Sequence, residues 1–369
     1  MKKSLLLIFG ILFGLVSISF AQDEWEDDDE DYSMYEDFES ADGTTVKSFA
    51  PPSIVGMSPQ RFITIAADIE LPYNMELSPI GEYEPGSSAP VGETGNVRFT
   101  GGFRFNSNIP IISKKNFVWQ SGINFMDVRY SVKDYEQVVG FDEELYSDIP
   151  NTLNRRGLRN LNWTNTFYVP INEKSFFVLQ AQIDMSGDFG FTFQPLRTLR
   201  YSAAALYGQR PHDRLQWAVG VSRTYRVGNL NYIPVAMLNY TSKNRKWGTE
   251  ILLPARANGR YTINKNNLIL FGVELEGQSY RIGHLSQGND SFEIRRGEIR
   301  PRIDYQRKLF GNFWGGFQVG YRINYSFDAD NLENGRDFYR GFFGDQPFAM
   351  LNNLGNSMYF NFSISFVSP

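Results

Sequence analysis

The residue types that most often carry out chemistry are scarce in this chain. Its 369 residues include two histidines and no cysteine. A serine hydrolase needs a histidine within hydrogen-bond reach of its nucleophile, and His284 with Ser286 is the one such pair that is close in sequence. Both lie in a polar stretch that is typical of a loop, and His212 falls in a tight turn. We therefore predict that the chain has no catalytic residues and is not an enzyme.

Metal and cofactor sites find no better support. Without cysteine, and with two isolated histidines, only carboxylates remain as ligands, and the acidic residues near the N-terminus would bind calcium loosely at best. No glycine-rich phosphate loop lies between a strand and a helix. Nothing in the sequence indicates nucleic acid binding. We predict no metal, no cofactor and no nucleic acid partner.

Charged residues alternate with apolar residues in two neighbouring segments. In 267–280 the acids alternate with Ile269, Phe271 and Val273, and in 293–308 arginines and acids alternate with Ile299 and Ile303. A period of two places such residues on one face of a strand. The polar face of a third strand adds one more arginine. We predict a charged ladder that lines an interior: Glu274, Glu276, Arg296, Glu298, Arg300, Arg302 and Arg322. We expect five further arginines to face the same interior: Arg98, Arg104, Arg200, Arg256 and Arg260.

Two interpretations of the ladder remain open. The arginines are suited to bind anionic solutes at a charged constriction, because a guanidinium donates two hydrogen bonds to a carboxylate or phosphate. Alternatively, the ladder forms cross-strand ion pairs that fill a narrow barrel and fix its register. The acids are interleaved with the arginines and do not stand apart from them. This interleaving favours the second interpretation.

The elements that must position the ladder are strands of about ten residues with alternating polarity. In 312–327, Phe313, Phe317, Val319 and Phe327 belong to one apolar face. Trp314 and Gln318 lie on the other face. Segments with the same alternation occur at 63–71, 97–106, 177–185 and 215–222. Aromatic residues make up 15% of the chain, yet mean hydropathy is −0.35. An apolar outer face with a polar inner face explains both values and predicts an all-β, transmembrane antiparallel meander barrel.

Connection lengths predict the number of strands. Short turns alternate with long segments, and bacterial barrels place short turns in the periplasm and long loops outside. If residues 247–263 form a hairpin that turns at Pro254, the barrel has about fourteen strands and both termini are periplasmic. Unbroken alternation through 249–263 argues against that hairpin. However, a single strand there would make the count odd and would place a long loop on the periplasmic side, so we prefer the hairpin. Twelve strands is the alternative.

The last strand resembles the C-terminal strand by which assembly machinery recognises outer-membrane barrels. Its apolar face consists of Phe360, Phe362, Ile364 and Phe366, although three residues follow the final aromatic. The stretches 20–23, 252–256, 273–281 and 294–301 resemble a family of uncharacterised outer-membrane barrels from Bacteroidetes-type Gram-negative bacteria. The resemblance covers about the last two thirds of the chain and implies no known activity.

The N-terminus predicts export. Lys2 and Lys3 precede an apolar run from Leu5 to Val16, and small residues at positions 19 and 21 match a signal peptidase site. We predict a signal peptide at 1–21, an acidic, disordered periplasmic tail at 22–58 and a barrel at 59–369 in the cell outer membrane. The run is shorter than the ~20 residues that a spanning helix needs.

These features predict an outer-membrane barrel that acts as a narrow channel for small solutes through a charged lumen. The alternative is a non-conducting structural barrel or one that binds a surface ligand, and an outer-membrane enzyme is the third choice. Expected partners are outer-membrane lipid and lipopolysaccharide, the assembly machinery through the last strand, and a solute that the sequence does not identify. Aromatic residues in 131–158 and 328–355 would fold inward as a plug or outward as a binding surface.

Overall fold

The computed structural model describes residues 52–84, 86–189, 199–224, 231–282, 292–331 and 348–367. The predicted signal peptide and most of the predicted acidic tail lie outside these ranges. So do His284, Ser286 and the residues between 332 and 347. In the described part of the chain, no helix is long and apolar enough to cross a membrane.

The structure consists almost entirely of strands. A 3₁₀ turn at Glu143–Leu145 and one short helix, α1 (Ile149–Arg155), interrupt them. The strands are β1 (Arg61–Glu70), β2 (Tyr73–Leu77), β3 (Glu93–Ser107), β4 (Ile109–Lys114), β5 (Phe117–Gln137), β6 (Leu158–Pro170), β7 (Ser175–Gly187), β8 (Leu199–His212), β9 (Leu215–Thr224), β10 (Asn231–Thr241), β11 (Trp247–Leu253), β12 (Arg256–Asn264), β13 (Asn267–Ile282), β14 (Phe292–Phe310), β15 (Phe313–Asn331), β16 (Asn353–Leu354) and β17 (Ser357–Val367).

These segments form one closed antiparallel barrel. Each long strand pairs with its sequence neighbours, and β1 pairs with both β3 and β17, which closes the ring. The short segments β2, β4 and β16 continue β1, β3 and β17, so the ring contains fourteen strands. The predicted fold class is confirmed, and the twelve-strand alternative is wrong. The hairpin at Pro254 is present, since β11 and β12 pair on either side of it.

The two ends of the barrel differ. Turns of a few residues join the strands at one end, the turn end, where β1 begins and β17 ends. Most connections at the other end, the loop end, are longer. The hairpin between β11 and β12 is the exception, and it leaves the wall low at that point because β12 pairs with β13 only as far as Glu274.

The outer face of the barrel is apolar. Side chains on its strands alternate as the sequence predicts. Ile65 on β1 and Phe362 on β17 are half exposed on the outer face, whereas the alternate residues of β1, such as Thr64 and Asp68, are buried inside. Phe360, Phe362, Ile364 and Phe366 all lie on the outer face of β17. A continuous exposed apolar surface of this kind is typical of a protein in contact with lipid.

Two β-bulges reverse the predicted facing of some residues. Arg98 is the extra residue in the pairing of β3 with β5, and Tyr325 is the extra residue in the pairing of β14 with β15. Beyond each bulge, the residues that point inward change from even-numbered to odd-numbered positions. Val97 and Phe327, which were predicted to lie on the outer face, are therefore fully buried inside. Arg98, predicted to face the interior, is exposed and pairs with Asp134.

An apolar core fills the loop end of the barrel. It combines inward-facing residues from β2, β3, β5, β6 and β13 to β16 with Ile149 and Leu153 of α1, and both helix residues are fully buried. Met350, which precedes β16, joins the same cluster. Within the segment 131–158, Ile149 and Leu153 therefore pack into the barrel.

β7 and β13 touch across this end of the barrel. Gly187 forms a parallel bridge with Arg281, and the backbone N–H of Asp188 donates to the Arg281 carbonyl oxygen over 3.1 Å. The two strands are six pairings apart along the shorter arc of the ring. A Cβ at Gly187 would lie 2.1 Å from that carbonyl oxygen, so the contact requires glycine. Two remote parts of the barrel wall therefore meet at the loop end.

The facing of the strands gives a first prediction, tested on the adjacent residues Leu179 and Gln180 of β7. Leu179 is 44% exposed on the outer face, and Gln180 is exposed on the inner face. Leu179→Arg places a charge in lipid and is expected to lower the free energy of unfolding by roughly 1–4 kcal/mol, depending on depth. Gln180→Arg is expected to cost little. Equilibrium unfolding in lipid vesicles measures both, and equal effects would contradict the assigned faces.

Candidate functional site

The candidate site is a network of charged side chains in the middle of the lumen, which we call the ion network. Glu70 on β1 is its centre. One of its carboxylate oxygens accepts from Arg296 at 3.3 Å and from Arg300 at 3.0 Å, and the other accepts from Arg322 at 2.8 Å. The Glu70 side chain is 3% exposed and that of Arg322 is fully buried. Three arginines on two strands thus converge on one acid.

A second acid, Glu298 of β14, connects the same arginines. It lies 2.5 Å from Arg296 and 3.0 Å from Arg300, measured from guanidinium nitrogen to carboxylate oxygen. Arg322 is 3.7 Å away. Arg296, Glu298 and Arg300 can contact one another because every second residue of β14 points to the same inner face.

The ion network also crosses the lumen. Arg104 on β3 donates to Glu276 on β13 over 2.9 Å and pairs with Asp68, and Glu276 in turn lies 2.8 Å from Arg300. β3 and β13 are five pairings apart around the ring. Side chains from opposite parts of the barrel wall therefore meet, and this chain of contacts spans the lumen.

The network is electrically balanced. It contains four acids and four arginines: Asp68, Glu70, Glu276, Glu298, Arg104, Arg296, Arg300 and Arg322. Buried charges that lack a partner are costly, and a balanced set avoids that cost. No positive charge is left over to bind an anion.

Aromatic side chains complete the packing around the arginines. The guanidinium carbon of Arg322 lies 4.0 Å from the ring centre of Tyr73, and that of Arg300 lies 4.7 Å from the ring centre of Tyr359. Arg296 donates to the hydroxyl oxygen of Tyr130 over 2.9 Å. Each contact stabilises a cation where little water reaches it. Tyr73 and Tyr130 also belong to the apolar core, so the core and the ion network are in direct contact.

The structure brings together five of the seven predicted ladder residues: Glu276, Arg296, Glu298, Arg300 and Arg322. Glu274 and Arg302 face inward as predicted but form a separate ion pair nearer the turn end. Among the other predicted inward arginines, Arg200 lies 2.8 Å from Glu293 and Arg260 lies 3.2 Å from Glu250. Arg256 faces inward and is exposed.

Sequence reasoning missed the centre of the site. Asp68 and Glu70 alternate with apolar residues on β1, and that pattern identifies them as inward-facing. However, β1 lies more than 200 residues before β14, so only closure of the ring brings Glu70 to Arg296 and Arg300. The sequence pattern shows which face of β1 Glu70 occupies, but it does not show which residues lie next to Glu70 in space.

On the turn side of the ion network the inner wall combines exposed polar side chains with two small apolar clusters, one around Phe176 and one around Trp314. Gln180 of β7 donates to the Thr166 hydroxyl of β6 over 3.3 Å. Inward-facing Asn106, Gln180 and Arg256 are exposed, although they lie on three different parts of the wall. We call this half of the lumen the vestibule. Among the described residues, no cluster of three or more acids and histidines is arranged to hold a metal ion.

Comparison with known proteins yields distant structural likenesses. No protein-family model matches the chain, and no curated protein sequence matches it. The resemblance to the uncharacterised Bacteroidetes-type family therefore stays a prediction. An outer-membrane channel from Pseudomonas putida F1 is 9% identical with a TM-score of 0.33, over 85% of this chain and 97% of that one.

A Pseudomonas aeruginosa FadL homologue is 9% identical with a TM-score of 0.37, over 85% and 91% of the two chains. The outer-membrane protease OmpT from Escherichia coli is 7% identical with a TM-score of 0.29, over 88% and 99%. These scores describe remote likenesses among outer-membrane proteins of different activities. The fold of this chain is established by its own strand pairing, a closed fourteen-stranded barrel.

Proposed function

We propose that the chain is an outer-membrane β-barrel for a small solute, and that its lumen is closed in the state described here. The observation that carries the proposal is the position of the ion network, which lies between the vestibule, where some inward-facing polar side chains are exposed, and a buried apolar core. A barrel with a purely structural role has no need of exposed polar side chains inside its lumen. The apolar outer face supports a location in the membrane.

The balance of charge supports a closed state. A constriction that selects anions keeps arginine donors free for the solute. Here each arginine of the ion network is already paired with an acid. Transport would require those pairs to separate, so the network acts as a gate and does not select the solute by charge. This proposal assigns no catalytic role to any residue.

The second candidate is a barrel that never conducts and that binds a ligand with its loops. It is favoured by the packing of α1 and Met350 into the loop end, which fills the space through which a solute would leave. The two candidates differ in whether loosening the ion network opens a path. They are therefore separated by conductance measurements on variants.

Arg300→Gln tests the proposal in planar bilayers. Arg300 contacts Glu70, Glu276 and Glu298 at 3.0, 2.8 and 3.0 Å, so its loss leaves three acids with fewer cations. We expect little steady conductance from the unmodified protein. We expect open events to increase about tenfold or more in the variant, as when a closed-to-open equilibrium shifts by roughly 1.4 kcal/mol.

Arg256→Gln is the matched control, because Arg256 faces the vestibule and lies outside the ion network. It is expected to leave conductance as low as in the unmodified protein. Large steady conductance before any substitution would show that the lumen is open. An Arg300→Gln barrel that folds and stays silent would favour the non-conducting candidate.

A further inference from the structure

The turn end of the barrel is strongly basic. Its six turns contain eleven lysines and arginines and two acids. We call this surface the basic rim; it consists of residues 114–116, 171–174, 210–214, 242–246, 264–266 and 307–312. Nine of its cationic side chains are exposed: Lys114, Lys115, Lys174, Lys243, Arg245, Lys246, Lys265, Arg307 and Lys308. A ring with this excess of positive charge attracts anions.

The charges of neighbouring turns act together. Consecutive turns are roughly 10–13 Å apart around the rim, because neighbouring strands lie ~4.8 Å apart and are tilted. This separation is close to the screening length of ~8–10 Å near physiological salt, so the potentials of adjacent turns overlap. The turns at 242–246, 264–266 and 307–312 are consecutive around the ring and contain six of the exposed cations. We call these three turns the basic arc.

The basic arc borders the apolar outer face directly. Trp247 follows Lys246 in sequence and is 52% exposed, and Phe310 at the end of β14 is 67% exposed. The ring centre of Trp247 lies 4.6 Å from that of Tyr261, and the ring centre of Phe310 lies 5.0 Å from that of Phe313. Aromatic side chains at the rim of a membrane barrel lie at the level of the lipid headgroups. The cations of the arc are therefore placed where hydrocarbon ends and headgroups begin.

Arg307 lies on the outer face itself. It is exposed between Tyr305 and Leu309, which are 37% and 51% exposed on the same face of β14. In register it lies opposite Asn267 on one side and Gly315 on the other, neither of which carries a charge. A long cationic side chain in this position can keep its apolar stem against hydrocarbon and extend its charged end to a headgroup. A phosphate group accepts two hydrogen bonds from a guanidinium.

The loop end has the opposite balance of charge. Two of its long connections, 78–92 and 138–157, contain six acids and two arginines. One of those arginines, Arg155, lies 3.1 Å from Asp148. An anionic surface is therefore attracted to the turn end and is not attracted to these connections.

From these observations we propose that the basic rim binds the phosphate-bearing headgroups of anionic phospholipids in the leaflet that surrounds the turn end. The exposed cations, their level beside the aromatic side chains and the outward position of Arg307 carry the proposal. It rests on the proposed membrane location of the barrel and does not depend on whether the barrel conducts. One lysine or arginine beside an anionic headgroup is expected to raise the affinity for that lipid about fivefold.

Spin-labelled lipids test the proposal in the membrane. The full-length protein is placed in phosphatidylcholine vesicles that contain a trace of spin-labelled phosphatidylglycerol or phosphatidylcholine, and the spectrum gives the fraction of each lipid that is immobilised by the protein. At low salt we expect phosphatidylglycerol to associate about threefold more strongly, since a fivefold preference in one leaflet is averaged with no preference in the other. In 1 M salt, where the screening length is ~3 Å, the two lipids should associate almost equally.

Two triple variants that lose the same charge separate the rim from the rest of the surface. The rim variant changes exposed cations of the basic arc: Lys246→Gln, Lys265→Gln and Arg307→Gln. The control variant changes cations at the loop end: Lys133→Gln, Arg155→Gln and Arg156→Gln. We expect the rim variant to reduce the preference for phosphatidylglycerol from about threefold to about 1.5-fold and the control variant to keep it.

Equal association of the two lipids at low salt would overturn the proposal, as would a control variant that loses the preference as fully as the rim variant. Inorganic phosphate, added at constant ionic strength, is expected to leave the preference unchanged. If it abolishes the preference, the rim binds a free anion and the lipid proposal fails. If neither lipid is immobilised, the membrane location is wrong as well, whereas the conductance of the barrel affects none of these results.

Discussion

Glu70→Gln is expected to lower the free energy of unfolding of the barrel by roughly 3–5 kcal/mol. The substitution keeps the shape of the side chain but removes the charge that Arg296, Arg300 and Arg322 share. Four arginines would then face three acids in a region where the side chains of Glu70, Arg300 and Arg322 are at most 4% exposed. Breaking a buried ion pair on one side costs more than the intact pair contributes, because a charge without a partner remains.

Unfolding by urea in lipid vesicles, followed by gel mobility without heating, measures this loss. Asp134→Asn is the control, since Asp134 pairs with Arg98 over 3.0 Å but both side chains are more than half exposed. An exposed pair contributes about 0–1 kcal/mol, so the control should change stability little. Adding Arg322→Met to Glu70→Gln restores the balance of charge and should recover part of the loss. A Glu70→Gln barrel as stable as the control would show that the ion network does not hold the barrel closed.

Leu153→Ala is expected to have the second large effect, at the loop end. Leu153 is fully buried in the apolar core, and truncation of such a leucine costs about 2–5 kcal/mol. The helix that carries it has seven residues, too few to be stable without tertiary contacts. The loss should therefore appear first as detachment of α1 from the barrel, and only then as unfolding of the strands.

Limited proteolysis of the connection between β5 and β6 measures detachment, and conductance measures its effect on the lumen. Arg155→Ala provides a control in the same helix, because Arg155 is exposed and contacts Asp148 at 3.1 Å. We expect Leu153→Ala to be cut at least tenfold faster than Arg155→Ala, which corresponds to about 1.4 kcal/mol in the equilibrium between docked and detached helix. Identical rates would mean that α1 is held by something other than its apolar face.

The strands and their number were predictable because each strand has its own period of two and its own turn. Even the ambiguous segment 247–263 could be resolved, since an odd number of strands would place a long loop at the turn end. The facing of Val97 and Phe327 was not predictable in this way. One extra residue in each of two strands reverses which residues point inward beyond it. Neither Arg98 nor Tyr325 interrupts the alternation of polar and apolar residues around it, so the sequence does not mark the bulge.

The candidate site was predictable in part for a related reason. The inward positions of Glu276, Arg296 and Arg300 follow from alternation within each strand. Their partners follow from the closed ring, because Arg104 and Glu70 come from strands that are remote in sequence and only become neighbours across the lumen. Local pattern therefore identifies which face is charged, and long-range closure determines whether those charges are paired or free.

The pairing of β1 with β17 also constrains how the molecule can be made. The first and last strands of the ring are held together by nine register pairs, including a hydrogen bond inside the lumen between the hydroxyls of Thr64 and Ser365 over 2.9 Å. Until residues 357–367 have been synthesised, β1 and β15 are both open edges that can pair with another chain. Closing a loop of some 300 residues comes late and is slow, because its entropy must be lost before its contacts form. A chain that lacks β17 would retain thirteen strands with two unpaired edges, so the eleven residues of β17 determine whether the product is a barrel or an aggregate.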